Sequence, residues 1–276
     1  MRAFRPRSTG SPQYTKPVGD TIDRTGFTFG LPPSLGTEPV WALAREFADL
    51  LYDVGFSTVV PYKSYQALQT AVLAGEVDAA WGPPLTCARV ESVGGSVALR
   101  AVRGGASTYR SALVSRSQDT FEISTLGQGA FRPRAAWVDA SSVGGYLLAR
   151  AYLRSAGVDI NTAFLNQRML GSYSACIDAL FEFESDLTAL FVRAGDFTGT
   201  WRERAQRLRV LAYTDESPND GVVISPSVSE ERSDAIVRGL QHLISKDSSR
   251  TVLMSMFTTD GFDVPPRGTY IPILTL

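Results

Sequence analysis

The sequence contains few of the residues from which catalytic and metal sites are most often built. Its 276 residues include two cysteines, Cys87 and Cys176, and a single histidine, His242. The cysteines have no Cys-x-x-Cys spacing, which argues against a disulfide framework or a structural zinc site, although a bridge between them stays open. His242 lies in a leucine-rich helical stretch, so we interpret it as a helix-surface residue rather than a general base. We therefore expect no metal and no cofactor.

An excess of charge of one sign is also missing. The chain has 27 Lys and Arg against 28 Asp and Glu, a formal net charge of -1, so no overall field attracts nucleic acid or an acidic membrane. No run reaches the roughly 18 apolar residues of a membrane span, and the first residues lack the apolar core of a secretory signal. As it stands, the sequence predicts a cytoplasmic protein without nucleic-acid partner or membrane insertion. A periplasmic or extracellular location follows if a leader was removed.

Strands and helices alternate along the chain. A short apolar strand at Phe27–Leu31 precedes a helical pattern over 40–51, and a second strand at 57–60 precedes a helix over 64–74. Such alternation predicts a parallel sheet flanked by helices, with ligand contacts at the carboxyl ends of the strands. With 44% hydrophobic residues, the chain can form real cores. A length of 276 residues favours two lobes.

The order of elements occurs twice. Residues 64–78 align without gaps on residues 172–186, and 41–45 resemble 146–150. Two matches in the same order predict two α/β lobes of similar plan that are joined by a two-strand hinge. We assign 1–25 to a disordered polar tail, 26–107 with 222–276 to lobe 1, and 108–221 to lobe 2. The helix over 230–245 returns to lobe 1.

Hydroxyl side chains precede the predicted helices in both lobes. In lobe 2, Ser141 and Ser142 follow a strand and are followed by Gly144 and Gly145 at a helix start. Free N–H groups and the helix dipole favour phosphate, sulfate or carboxylate there. The alternative is that these serines only cap the helix. Other hydroxyl candidates for the ligand site are Ser34, Thr86 and Ser172.

Aromatic rings with polar tips suit a cleft that holds a polar ligand. The candidates are Tyr62, Tyr65, Trp81, Tyr109 and Tyr173, each of which could instead pack in a core. Glu216 lies where the chain crosses back between lobes, so it could bind an ammonium group or belong to a solvated turn.

Asp78 and Asp186 occupy matched repeat positions, and we expect them to fix the turn between helix and strand. The sequence has no nucleophile elbow, phosphate loop, zinc-protease motif or dinucleotide fingerprint. We therefore predict a binding protein rather than an enzyme.

Four segments together resemble one family: Gly-Glu-Val-Asp-Ala-Ala-Trp-Gly-Pro-Pro from Gly75, Tyr-Arg-Ser-Ala-Leu-Val from Tyr109, Val-Asp-Ala-Ser-Ser-Val-Gly-Gly-Tyr from Val138, and Leu-Gly-Ser-Tyr from Leu170. The order is similar to that of the PhnD-like phosphate/phosphonate substrate-binding proteins of ABC transporters. The resemblance implies a type 2 periplasmic-binding fold, hinge closure, a phosphonate-like anion, and ligand contacts from Tyr62 or Tyr65, Thr86, Tyr109, Ser141, Ser142 and Ser172.

The sequence departs from this family at one site position. Tyr173 stands where the family usually has histidine after Gly-Ser, which opens the site to another anion. The partners that follow are a small anionic ligand and an ABC permease, or a sensor protein in place of the permease. The alternative is an enzyme of cofactor-precursor metabolism on the same scaffold.

Overall fold

The computed structural model describes residues 14–15, 26–32, 40–129, 131–193, 197 and 199–276. The strands are β1 Tyr14–Thr15, β2 Phe27–Leu31, β3 Phe56–Pro61, β4 Ala79–Gly82, β5 Ser96–Val102, β6 Thr108–Arg116, β7 Arg134–Trp137, β8 Asn166–Met169, β9 Leu187–Val192, β10 Leu208–Pro218, β11 Gly221–Ile224 and β12 Gly261–Asp263. The α-helices are α1 Val40–Tyr52, α2 Tyr65–Ala74, α3 Pro84–Ser92, α4 Leu148–Ser155, α5 Tyr173–Phe181, α6 Glu230–Ser245 and α7 Asp247–Phe257.

The strands form two sheets with the same internal plan. The larger sheet has the order β1-β3-β2-β4-β11-β5-β12, and the smaller one has the order β10-β6-β9-β7-β8. In the larger sheet, β3, β2 and β4 are parallel and β11 lies antiparallel between β4 and β5. In the smaller sheet, β8, β7 and β9 are parallel and β6 lies antiparallel between β9 and β10. The predicted two-lobed α/β fold with sheets of matched plan is confirmed. Among the described strands the sheets are mixed rather than mainly parallel, because two of six strand pairings in the larger sheet and two of four in the smaller one are parallel.

The chain passes between the sheets in two connections. One joins β5 to β6 and the other joins β10 to β11. The amide of Asn219 in the second connection donates to the carbonyls of Ala101 and Ala106 beside the first, at 3.0 and 2.9 Å. These bonds hold the two connections side by side, as a two-strand hinge requires. The lobe limits 26–107 with 222–276 and 108–221 stay predictions, which the sheet membership supports.

The repeated helices start with the same cap. The Ser64 hydroxyl accepts from the N–H of Ala67 at 3.1 Å, and the Ser172 hydroxyl accepts from the N–H of Ala175 at 3.1 Å. A serine in this position satisfies one of the free N–H groups of a first helical turn. The matched sequences therefore specify matched helix starts. The short helix α3, which begins at Pro84, was not predicted from the sequence.

The matched aspartates join the third strand of each lobe to the first. Asp78 and Thr28 exchange two hydrogen bonds, in which the Thr28 N–H donates to Asp78 Oδ2 at 2.8 Å and the Asp78 N–H donates to the Thr28 carbonyl at 3.0 Å. Asp186 and Arg134 repeat this arrangement in lobe 2, at 2.9 and 2.8 Å. The two aspartates therefore have a structural role, in agreement with the expectation from the sequence.

The hydrophobic side chains form separate cores that meet at one place. Helices α6 and α7 pack with α1 against the larger sheet, and α4 and α5 pack on opposite faces of the smaller one. A further cluster in lobe 1, which contains Leu68 and Tyr270, also includes Val143 and Leu148 of lobe 2. Val143 is 4% exposed. The lobes are therefore in apolar contact beside the start of α4.

The segment 1–25 has one described part. Tyr14–Thr15 pair antiparallel with Val59 and Thr58 at the edge of the larger sheet. The rest of the predicted tail lies outside the described residues.

The charge arrangement at Asp186 leads to a prediction on stability. Burial raises the pKa of this carboxyl, but hydrogen bonds from the guanidinium groups of Arg134 and Arg116 outweigh burial and hold the pKa below its ordinary value. Asp186→Asn removes the carboxylate that the two guanidinium groups share and leaves Arg116 with Asp119 alone, so we expect a loss of about 3 kcal/mol in urea unfolding at pH 7.

The pH dependence follows from the same pKa. A depressed folded-state pKa gives a stabilisation that is complete above about pH 4 and is lost as the pH falls further. The wild type should therefore lose more stability in acid than Asp186→Asn. Asp247→Asn, which alters an exposed ion pair with Arg250, is the control and should change little. Equal effects of the two substitutions would contradict the assignment.

Candidate functional site

The polypeptide after β7 makes a close turn under the cleft between the lobes. Residues Val143–Leu147 form one π-helical turn that continues into α4. The Ser142 hydroxyl accepts from the N–H of Gly145 at 3.1 Å, and Ser111 of β6 donates its hydroxyl to the carbonyl of Gly144 at 2.6 Å. A Cβ on Gly145 would lie 2.4 Å from Val138. Only glycine fits this approach between turn and strand.

Two tyrosines lie against Gly144. A Cβ added there would be 2.7 Å from the hydroxyl of Tyr173 and 2.9 Å from the ring of Tyr109. Ser142 lies close enough to Tyr173, and Ser217 close enough to Tyr109, to lower the pKa of each phenol. The structure therefore brings Tyr109, Ser142 and Tyr173, three of the residues predicted for the site, to one point at the carboxyl end of the parallel strands.

The two phenols are neutral donors at physiological pH. Burial raises the pKa of Tyr109 well above its ordinary value, and the neighbouring Tyr173 and Asp220 raise it further. Burial likewise raises the pKa of Tyr173, while its hydrogen bond with Ser142 lowers it only in part. A protonated phenol can donate a hydrogen bond to an anion. The cluster offers such donors without a formal positive charge.

Lobe 1 faces this cluster with aromatic side chains. The phenol of Tyr65 at the start of α2 is close enough to contribute to the raised pKa of Tyr173. Tyr62 lies over Gly30 of β2, where an added Cβ would be 3.4 Å from its ring. Burial, and then the charge of Glu76, raise the pKa of Tyr62. Tyr62 and Tyr65 therefore lie on the lobe 1 side of the same cleft.

The remaining hydroxyls have local partners. Ser141 is exposed, and its hydroxyl and N–H donate to Asp139 Oδ1 at 2.5 and 2.8 Å. Ser172 is exposed at the start of α5 and caps that helix. Thr86 is 2% exposed in α3 and packs against Gly82. Capping, the alternative interpretation of Ser141 and Ser142, is therefore present at Ser142. Ser172 caps α5 in the same way, and a ligand would add to these bonds.

Two predicted site residues have other roles, and a third cannot be placed. Trp81 is a core residue rather than a wall of the cleft, because it is 5% exposed and stacks on Phe257 with a ring separation of 3.9 Å. Glu216 binds Arg110 at 2.8 Å and Thr108 at 2.7 Å, on the face of the sheet opposite to Ser217. These two contacts account for the position of the Glu216 carboxylate without a bound ammonium group. Ser34 lies outside the described residues.

Sequence reasoning missed the polar residues that support the cluster from neighbouring strands. Ser217 pairs with Tyr109 across β10 and β6, and Ser111 contacts the turn from two residues further along β6. Neither serine belongs to a loop or a helix start, so no local pattern distinguishes it. Only the pairing of distant strands brings these serines to the site.

A separate concavity of about 400 Å³ lies at the other end of α4, lined by Arg150, Arg154 and residues 157–161. Arg154 there donates to the carbonyls of Thr275 and Leu276. This pocket does not contain the tyrosine cluster. Within the described part of the chain, no group of His, Cys, Asp and Glu could hold a metal ion, and no helix is long and apolar enough to cross a membrane.

Two lobes of duplicated plan, a two-strand hinge and a polar cluster at the carboxyl strand ends define a type 2 periplasmic-binding fold. The family model "ABC transporter, phosphonate, periplasmic substrate-binding protein" matches residues 53–267. The chain belongs to this family of phosphonate-binding substrate-binding proteins, as the resemblance in the sequence predicted. Members of the family bind substrates for transport and are not enzymes. A comparison with curated proteins finds no match.

Solved structures share the fold at low sequence identity. A binding protein component of an ABC phosphonate transporter from Pseudomonas aeruginosa is 18% identical, with a TM-score of 0.71 over 91% of this chain and 85% of that chain. PhnD1 from Prochlorococcus marinus in complex with methylphosphonate is 18% identical, with a TM-score of 0.69 over 91% and 96%. A Xanthomonas citri protein bound to ATP is 16% identical, with a TM-score of 0.71 over 91% and 98%.

The close approach at Gly144 predicts a sensitive position. Gly144→Ala places a methyl group against Tyr173 and Tyr109, so we expect a loss of about 1 to 3 kcal/mol in urea unfolding, since overpacking displaces side chains or backbone. The control is Gly261→Ala, because an added Cβ there meets nothing within 4 Å. A Gly144→Ala protein as stable as this control would contradict the described packing.

Proposed function

We propose that this protein binds a small phosphonate-like or phosphate-like anion in the cleft between its lobes and delivers it to an ABC permease. The observation that supports this most directly is the convergence of Ser142, Tyr109 and Tyr173 on Gly144, opposite Tyr65 of the other lobe. Family membership and the methylphosphonate complex of a protein with the same fold support the choice of anion.

The site recognises the anion by neutral donors. Ser141 and Ser142 supply hydroxyls at the start of the helix that leads into α4, and Ser172 supplies one at the start of α5. The positive ends of helix dipoles and free N–H groups favour a phosphoryl group there. The Ser141 hydroxyl donates to the Asp139 carboxylate, so it must exchange this partner in order to donate to the anion. The hydroxyl of Ser142 and the phenols of Tyr109 and Tyr173 lie beside this position.

Closure of the lobes completes the site. Tyr62 and Tyr65 come from lobe 1, whereas Tyr109, Ser142 and Tyr173 come from lobe 2. A ligand that contacts both sets binds the closed form better than the open one and shifts the population toward it. The apolar contact of Val143 with the lobe 1 cluster further stabilises the closed form. The closed form is then the species that a permease recognises, on the periplasmic side that the family description implies.

Thermal unfolding with and without anions tests the proposal. Methylphosphonate or inorganic phosphate, at about 100 times its Kd, should add about 2.7 kcal/mol of stability. Changing Ser141 and Ser142 together to Ala should abolish this anion-dependent shift. Because loss of the Ser142 cap by itself destabilises the helix by about 1 kcal/mol, the quantity compared is the difference with and without anion for each protein.

The control variant is Ser155→Ala, whose hydroxyl donates to Tyr152 at the far end of α4. It should keep the full shift. A shift that persists in the double variant would remove the two serines from the site. A wild type that responds to no phosphonate and to no phosphate would overturn the proposed function itself.

A further inference from the structure

Arg193 lies in the wall of the cleft next to the tyrosine cluster. Strands β6 and β9 pair antiparallel up to Arg110 opposite Val192. Continuing this register by one residue places Arg193 beside Tyr109, in agreement with the electrostatic effect of Tyr109 on Arg193. Ser217 of β10 lies opposite Tyr109 on its other side. Residues directly opposite each other in a sheet project to the same face. Arg193 therefore projects to the face where Tyr109 contacts the Gly144 turn, at the carboxyl end of β9.

The guanidinium group of Arg193 lacks a counter-charge in the part of the chain that the structure describes. Its Nε is buried without a hydrogen-bond partner. Its described ring contact is with Phe191, where the guanidinium carbon lies 5.2 Å from the ring centre. A buried cation without a partner destabilises a protein unless something neutralises it. Such a residue in a ligand cleft is poised for an acidic group of the ligand.

Two carboxylates of the described residues act on Arg193, and each has another partner. Asp220 binds Arg103 at 2.9 Å, and Asp260 accepts a hydrogen bond from the N–H of Gly104. Burial lowers the pKa of Arg193, and the charge of Arg103 lowers it further, whereas Asp220, Asp260 and Tyr109 oppose that change. The local acids therefore leave the Arg193 guanidinium available for an incoming acid.

Two aromatic rings connect Arg193 with the hydroxyl donors. The Arg193 guanidinium carbon lies 5.2 Å from the ring centre of Phe191, this ring centre lies 5.1 Å from that of Tyr173, and Tyr173 lies against Gly144. One small phosphoryl group held at Ser142 leaves Arg193 for a different group of the same ligand. The cleft thus has a neutral hydroxyl end and a cationic end, separated by aromatic rings.

We propose that Arg193 determines specificity by pairing with a second acidic group, a carboxylate or a second phosphoryl group, on a phosphonate or phosphate ligand. The inference rests on the proposed function and narrows its substrate class to di-acids. The planar guanidinium binds a carboxylate or a phosphoryl group through two parallel hydrogen bonds. A ligand with one acidic group can bind the hydroxyl donors but leaves Arg193 without a partner from the ligand.

Isothermal titration with matched phosphonates tests this. The probes are methylphosphonate, with one acidic group, and phosphonoacetate and 3-phosphonopropionate, with two. The wild type should bind at least one di-acid about tenfold more tightly than methylphosphonate, since a close charge pair in a desolvated site adds this much or more. Arg193→Gln should abolish the preference and leave the affinity for methylphosphonate unchanged.

Two further variants complete the test. Arg168→Gln removes an exposed arginine that pairs with Glu184 on the edge strand β8, and it should keep the wild-type preference. Arg193→Lys retains the charge without the planar group, so its preference should lie between those of the wild type and Arg193→Gln. This variant also makes the test independent of whether the Gln protein folds.

The outcomes separate the two proposals. If methylphosphonate binds but neither di-acid binds more tightly, the specificity role of Arg193 is wrong and the proposed function stands. If either Arg193 variant weakens all three ligands equally, Arg193 contacts the phosphonate group itself, which also contradicts the inference. If no phosphonate and no phosphate binds to the wild type, the proposed function fails, and the inference fails with it.

Discussion

Two hydrogen bonds join the first and third parallel strands of each lobe, and the arrangement of the strand ends and helix starts at the site depends on them. Asp78 with Thr28, and Asp186 with Arg134, bond through the aspartate carboxylate and backbone at the same place in the two sheets. These pairs set the register of the parallel strands at their amino ends. Because the strands start in register, their carboxyl ends and the following helix starts reach the same edge of each sheet.

The site depends on this edge and on the absence of a side chain at Gly144. The turn after β7 approaches Tyr109 and Tyr173 so closely that a methyl group does not fit. As a result, the backbone of this turn, the Ser142 hydroxyl and the phenol groups of Tyr109 and Tyr173 lie close together. Hydroxyls and N–H groups desolvate at a lower free-energy penalty than charges do, so a closing cleft can bury them before the ligand is fully enclosed.

Arg193 adds a positive charge beside this cluster. Its position follows from the register of β6 with β9, and its guanidinium lies over the ring of Phe191. A neutral end for one acidic group and a cationic end for another would make the cleft selective by the spacing of two charges.

The sequence by itself determined the periodic features: the repeated strand-helix units, the helix starts near residues 64 and 172, the role of the matched aspartates and the helix over 230–245. These depend on local backbone preferences and on residues close together in the chain, and the PhnD-like motifs identified the family from the same segments. Only the tertiary structure decided that Trp81 packs in a core, that Glu216 pairs with Arg110, and that Ser217 lies beside Tyr109. The physical reason is that the pairing of strands distant in the chain, and the face to which each side chain then projects, depend on the packing of the whole sheet and leave no local pattern in the sequence.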